Sequence, residues 1–108
     1  MKIPYNKLVR DRIPEIIAEQ GKQFAMAVYD ETAYLDALKQ KAIEEANEVA
    51  IAESDAELIK EIGDLYEVLD ALLSAIGISR DDVYLLQEKR RIKRGGFEDR
   101  LELLWVED

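Results

Sequence analysis

The stretch KAIEEANEVAIAESDAELIKEIGDLYEVLDALLSAI, residues 41–76, decides how this chain folds. Its apolar residues recur at helical spacing on both sides of Glu53-Ser54-Asp55, so it reads as two helices joined by a tight turn. Its carboxylates set the harder question. Glu44, Glu45 and Glu48 fall within about one and a half turns of helix, where like charges repel and each needs a partner.

At about 100° per residue, Leu35, Leu38, Ala42, Ala46 and Val49 form a stripe roughly 80° wide on the first of these helices. Glu45 lies at the edge of that stripe, about 20° from Leu38, with Glu48 about 60° further round. On the second helix Leu58, Ile62, Leu65, Leu69, Leu72 and Ile76 make the apolar face, with Val68 at its rim. Glu61 falls inside that face and Asp64 lies about 60° away. Each helix therefore carries an acidic i, i+3 pair with one member turned toward the interior. An antiparallel hairpin would bring the two pairs opposite each other.

Ionised carboxylates buried without partners cost several kcal/mol each. They must be protonated, paired with basic side chains, or holding a divalent cation. The two helices contain only Lys39, Lys41 and Lys60 as cations, which looks too few to neutralise the set. Magnesium suits the remaining possibility, since it takes oxygen ligands, keeps water and is commonly shared with phosphate. The plainer alternative is a solvated acidic face. Glu44, Glu53, Glu57, Glu67 and Asp70 read that way, although Glu44 and Glu57 lie close enough to support the ligands.

Working outward, Pro14 in a first turn and Gly21 past the end frame a helix over about Ile13–Gln20. Asp30 reads as the N-cap of the helix at about 31–53, and Ser54 with Glu57 as a capping box for the next, which stops at Gly77. Ser79 with Asp82 opens a fourth helix ending near Arg94, before Gly95-Gly96. Residues 23–29 and 100–106 are apolar enough for a short two-stranded hairpin. The expected fold is an all-α four-helix bundle in a single domain, residues 1–108.

Composition narrows the chemistry. The 108 residues include no cysteine and no histidine, which excludes thiolate zinc, redox cysteines and the commonest general base. A metal here must be a hard cation held by oxygen. The net charge of −9 argues against nucleic acid as a partner, and no apolar run is long enough for a membrane span. The charged N-terminus does not resemble a signal peptide, so a cytoplasmic location is expected. The charge is uneven: residues 31–82 carry four basic against fourteen acidic groups, whereas 83–108 carry six of each. The two helices offer more apolar surface than one small chain can cover, which predicts a homodimer or homotetramer.

The spacing Glu44-Glu45-x-x-Glu48, twelve residues, then Glu61-x-x-Asp64 resembles the EExxE…ExxD signature of the all-α nucleoside triphosphate pyrophosphohydrolases. That MazG-like superfamily includes dimeric dUTPases and phosphoribosyl-ATP pyrophosphohydrolases. The flanking stretches YNKLVRDRIPEII and KRRIKRGGFEDRLELLWV are similar to the phosphoribosyl-ATP pyrophosphohydrolase-like branch, so the likeness spans nearly the whole chain. It implies Mg²⁺-dependent hydrolysis of a nucleotide between its α and β phosphates, with Mn²⁺ as a substitute and nucleotide-pool house-cleaning as the role. Carried onto this sequence, Glu45, Glu48, Glu61 and Asp64 become the metal ligands.

With no histidine, water must be activated by metal, carboxylate or both; Glu48 is the preferred residue for orienting or deprotonating it, with Glu44 as the alternative. Lys7, Arg10, Lys93 and Arg94 are the candidate phosphate contacts, because basic side chains bind phosphate oxygens and the arginine fork does so at two points. Cations in a last helical turn also balance the helix dipole, a competing reading for the 89–94 cluster. Tyr5, Tyr66, Phe97 and Trp105 read as packing residues before base-stacking ones. Two other classes stay open: an acidic helical module that docks a basic partner, and a nucleotide sensor without turnover.

Overall fold

Four α-helices make up the regular structure of the computed structural model, which describes residues 1–108: α1 (Ile13–Glu19), α2 (Glu31–Ile51), α3 (Asp55–Ile76) and α4 (Arg80–Arg94). By contact, the chain divides into Met1–Ile76, which holds α1 to α3, and Gly77–Asp108, which holds α4.

The boundaries follow local chemistry. Asp30 has extended backbone and its side chain accepts from the Ala33 N–H at 2.8 Å, satisfying a donor that the first turn of α2 leaves open. Ser54 does the same for α3, accepting from the Glu57 N–H at 3.1 Å. The Glu57 carboxylate reaches back at 2.9 Å to the N–H of Glu53, one residue before the cap, so the expected reciprocal box closes with a one-residue offset. Ser79 accepts from the Asp82 N–H at 3.1 Å and starts α4. Gly77 follows α3 with φ +73°, a left-handed conformation that a side chain would strain.

The α2–α3 hairpin is the frame of the first unit. Only residues 52–54 separate the two helices, and they pack along each other. Leu38 of α2 is 2 % exposed and is the one fully buried apolar residue. Leu35, Ala42 and Val49 on α2, and Ile62, Leu65 and Leu72 on α3, are half-buried around it. Ala46, Leu58, Leu69 and Ile76 were expected in the same stripes but are exposed. Two helices can cover only the strip along which they meet, and the outer edges of both stripes face out.

The expected strand pair is corrected. Residues 23–29 and 100–106 contain no strand and make no backbone hydrogen bond to another segment. Their apolar side chains point outward, with Val28 98 % and Leu101 89 % exposed. A strand is held by its neighbour's peptide groups, and neither segment has one. No helix of the chain is long and apolar enough to cross a membrane.

Candidate metal and phosphate site

The hairpin brings acids from two helices together. Glu45 of α2 and Glu61 and Asp64 of α3 each offer a carboxylate oxygen within 4.8 Å of the others, and all three residues are half-buried. The side chains of Glu45 and Glu61 are 13 % and 16 % exposed, those of Asp64 and Glu44 28 % and 38 %. These are the acids that the helical wheel turned toward the interior, together with Asp64. Glu48, expected as the fourth ligand, is exposed and lies outside the converging group, although Asp64, about as far round α3, lies within it.

Basic side chains surround the cluster. Arg10 donates from Nη2 to Asp64 Oδ1 at 2.8 Å, and Lys60 Nζ stands 3.3 Å from Asp64 Oδ2 and 3.1 Å from Glu61 Oε1. Lys41 Nζ lies 3.9 Å from Glu45 Oε1 and 3.5 Å from Glu44 Oε2. Lys7 donates to Glu44 Oε1 at 3.3 Å. Lys7 and Arg10, from the segment before α1, thus join the lysines of α2 and α3, the only cations that the count from sequence had included. The i, i+4 spacing of Lys41 with Glu45 and of Lys60 with Asp64 could have shown two of these pairs in advance. Arg10, 54 residues from Asp64, carries no local signal of that kind. With the basic residue N-terminal to the acid, both i, i+4 pairs have the less favourable orientation for a helix. Surface pairs of this sort contribute only about 0.2–1 kcal/mol.

Their field is uneven. Burial pushes the Glu45 carboxyl up, the charge of Asp64 adds to it, Lys41 opposes, and Glu61 and Glu44 raise it further. The result stands above the ordinary carboxylate range, so the cluster still repels its own charge. At Glu44 burial is the largest single influence and also raises the carboxyl. There, however, Lys7 and Lys41 together outweigh it and hold the group below its ordinary value. Lys60 is held above its usual range by its bonds to Glu61 and Asp64.

Beside the cluster lies a cavity of about 200 Å³ whose wall includes Glu45, Asp64, Arg10 and Lys41 together with the apolar Leu8, Tyr34 and Val68. Tyr34 is an aromatic residue that the sequence reading did not single out. Of the remaining candidates, Lys93 and Arg94 occupy the last turn of α4 and are exposed.

The donor set is all oxygen, three carboxylates with no nitrogen or sulfur, which is the chemistry of a hard divalent cation. The residues fit such an ion. Opposed acid pairs on a helical hairpin, ringed by basic side chains, are suited to metal-assisted work on phosphates. Residues 6–91 match the model of the phosphoribosyl-ATP pyrophosphohydrolase family, so the chain belongs to that family and with it to the MazG-like all-α pyrophosphohydrolases, hydrolases of phosphoric anhydrides. The matched span includes Lys7, Arg10 and every acidic candidate, whereas Lys93 and Arg94 lie beyond it. No curated protein and no solved structure matches the chain.

Proposed function

We propose that this protein hydrolyses a nucleoside triphosphate, or a related nucleotide, between the α and β phosphates. Water adds across that P–O–P bridge, and the products are a nucleoside monophosphate and pyrophosphate. The observation that carries this reading is the convergence of Glu45, Glu61 and Asp64 within 4.8 Å, in a chain of a pyrophosphohydrolase family.

Glu45, Glu61 and Asp64 would hold Mg²⁺, or Mn²⁺ in its place, with Glu48 as a further ligand. A divalent cation at this position offsets the repulsion between the acids and a polyphosphate and supplies Lewis acidity toward its oxygens. The chain's own groups do the rest. Glu48, exposed beside the cluster, orients the attacking water and accepts its proton, and Glu44 is the alternative for that role. Lys7 and Lys41 hold the Glu44 carboxyl below its ordinary value, which weakens Glu44 as a base. Lys7 and Arg10, both on the segment before α1, contact the phosphates through charge-assisted hydrogen bonds. Lys93 and Arg94 are assigned the same task, supplied from another copy in a homodimer or homotetramer. The many large apolar residues left exposed support such an assembly. Clearance of unwanted nucleotides from the pool is the proposed role.

The test is a panel of canonical and damaged nucleotides incubated with protein and Mg²⁺ or Mn²⁺, with both products quantified. Pyrophosphate release that stops with EDTA and with Glu45→Gln or Asp64→Asn is the expected result. Tight nucleotide binding without product would assign a sensor instead, and release indifferent to EDTA would refute the metal-dependent reading.

A further inference from the structure

We infer that Arg10 is the resident counter-ion of the acid cluster, seated on Asp64 until a divalent cation displaces it. Its release frees the guanidinium and the segment before α1 to meet phosphate. The inference rests on the metal-binding reading of Glu45, Glu61 and Asp64 given above.

Asp64 has both oxygens engaged. Oδ1 accepts from Arg10 at 2.8 Å and Oδ2 faces Lys60 at 3.3 Å. A cation shared among the three acids takes a lone-pair site of Asp64 and so brings a second positive charge against Arg10 and Lys60 on the same carboxylate. Lys60 and Asp64 belong to adjacent turns of α3, and the lysine reaches Glu61 as well at 3.1 Å. That chelated position keeps Lys60 local even when one contact is lost.

Arg10 is held differently. It comes from residues 1–10, which contain no regular secondary structure and are exposed except for Leu8. Lys7–Glu44 at 3.3 Å and Arg10–Asp64 at 2.8 Å tie this segment to the hairpin. Water reaches both basic side chains, Arg10 at 60 % and Lys60 at 68 % exposed, so what separates them is that Lys60 is also bonded to Glu61 on its own helix.

Charge points the same way. Arg10 sets one positive charge on Asp64, and a doubly charged ion shared by the three acids offsets their mutual repulsion more completely. With the ion in place, a guanidinium on Asp64 faces a like charge, while an incoming polyphosphate offers it a better acceptor. Cation and Arg10 thus compete for the Asp64 carboxylate through like-charge repulsion. Two ligands that exclude each other weaken one another by the same factor. The arginine that partly offsets the charge of the cluster is then the one positioned to bind substrate only after loading.

The experiment uses nucleotide-free full-length protein. The arginine Nε–H resonance of Arg10, identified by its loss in Arg10→Gln, is followed during a Mg²⁺ titration. In parallel, Mn²⁺ affinity is measured by electron paramagnetic resonance for the parent, Arg10→Gln and Lys60→Gln. The expected result is a shift of the Arg10 signal to the free-guanidinium position with the midpoint of Mg²⁺ binding. Mn²⁺ should bind about fivefold more tightly to Arg10→Gln. An Arg10 signal unmoved at saturating Mg²⁺, or affinity in Arg10→Gln equal to or below the parent, overturns the inference while leaving the metal site intact. A larger gain in Lys60→Gln with Arg10 unmoved assigns the displacement to Lys60 and also overturns it. Parent protein that binds neither ion overturns the metal reading itself, and this inference with it.

Discussion

Glu45 of α2 and Asp64 of α3 meet across the hairpin, and the charge of Asp64 is the largest electrostatic influence lifting the Glu45 carboxyl above its ordinary range. Carboxylates from two helices that repel at close range destabilise the hairpin carrying them. That penalty is the property a bound cation can remove.

Replacing one of the charges should therefore stabilise the metal-free protein. Glu45→Gln keeps the shape and removes the repulsion, so a Tm gain of about 2–4 °C at neutral pH is expected, the size of ~0.5 kcal/mol in a small domain. Thermal unfolding in EDTA checks it.

The gain should depend on pH in a definite direction. The Glu45 carboxyl is raised on folding, so the folded chain binds its proton more tightly. Its destabilising effect is full above the folded-state pKa and fades as pH falls through it toward the unfolded value. The Tm difference between Glu45→Gln and parent should shrink across that window. Glu44 runs the other way: its carboxyl is depressed on folding. The stability from its partnership with Lys7 and Lys41 is present above the unfolded pKa and is lost as pH falls through the folded one. Glu44→Gln should thus cost the protein stability at neutral pH and cost it progressively less in acid.

Metal should reverse the cluster's repulsion. A cation that binds only the folded state raises Tm by mass action, about 2.7 kcal/mol at a hundredfold excess over Kd. Mg²⁺ or Mn²⁺ is expected to raise the Tm of the parent, EDTA to restore it, and Glu61→Gln or Asp64→Asn to abolish most of the rise. Glu48→Gln should remove part of the rise, less than the loss of Glu61 or Asp64 does, and lower kcat by about 10²-fold or more through the lost water activation.

The helix cap offers a stability test away from the chemistry. Ser54→Ala removes the acceptor for the Glu57 N–H and should lower stability by about 1 kcal/mol, or about 4–8 °C in Tm, without altering metal affinity. A change in metal affinity would show that the turn controls the register of the two helices.

Much of this was legible in the letters because local chemistry governs it. Asp30, Ser54, Ser79 and Gly77 act within a few residues of themselves, and each cap or stop appears where its residue type demands. The convergence of Glu45 with Glu61 and Asp64 followed from periodicity, since a short turn leaves two helices one way to face. The misreadings have a common origin in partners that a single strip of sequence does not display. Residues 23–29 looked like a strand by composition, but no neighbouring edge pairs with them. Ala46, Leu58, Leu69 and Ile76 matched the apolar period yet lie beyond the seam. Arg10 reached Asp64 through the tertiary fold, so a count of cations confined to α2 and α3 undervalued the neutralisation of the cluster.

Leu38, the lone sealed side chain, carries a practical consequence for the bench. A chain with so little interior of its own should draw its folding free energy from association, making stability a function of protein concentration. Sedimentation at micromolar concentration should then show assemblies larger than one chain, and specific activity should decline on dilution into the nanomolar range. Enzymology performed only on dilute samples would mistake dissociation for weak catalysis.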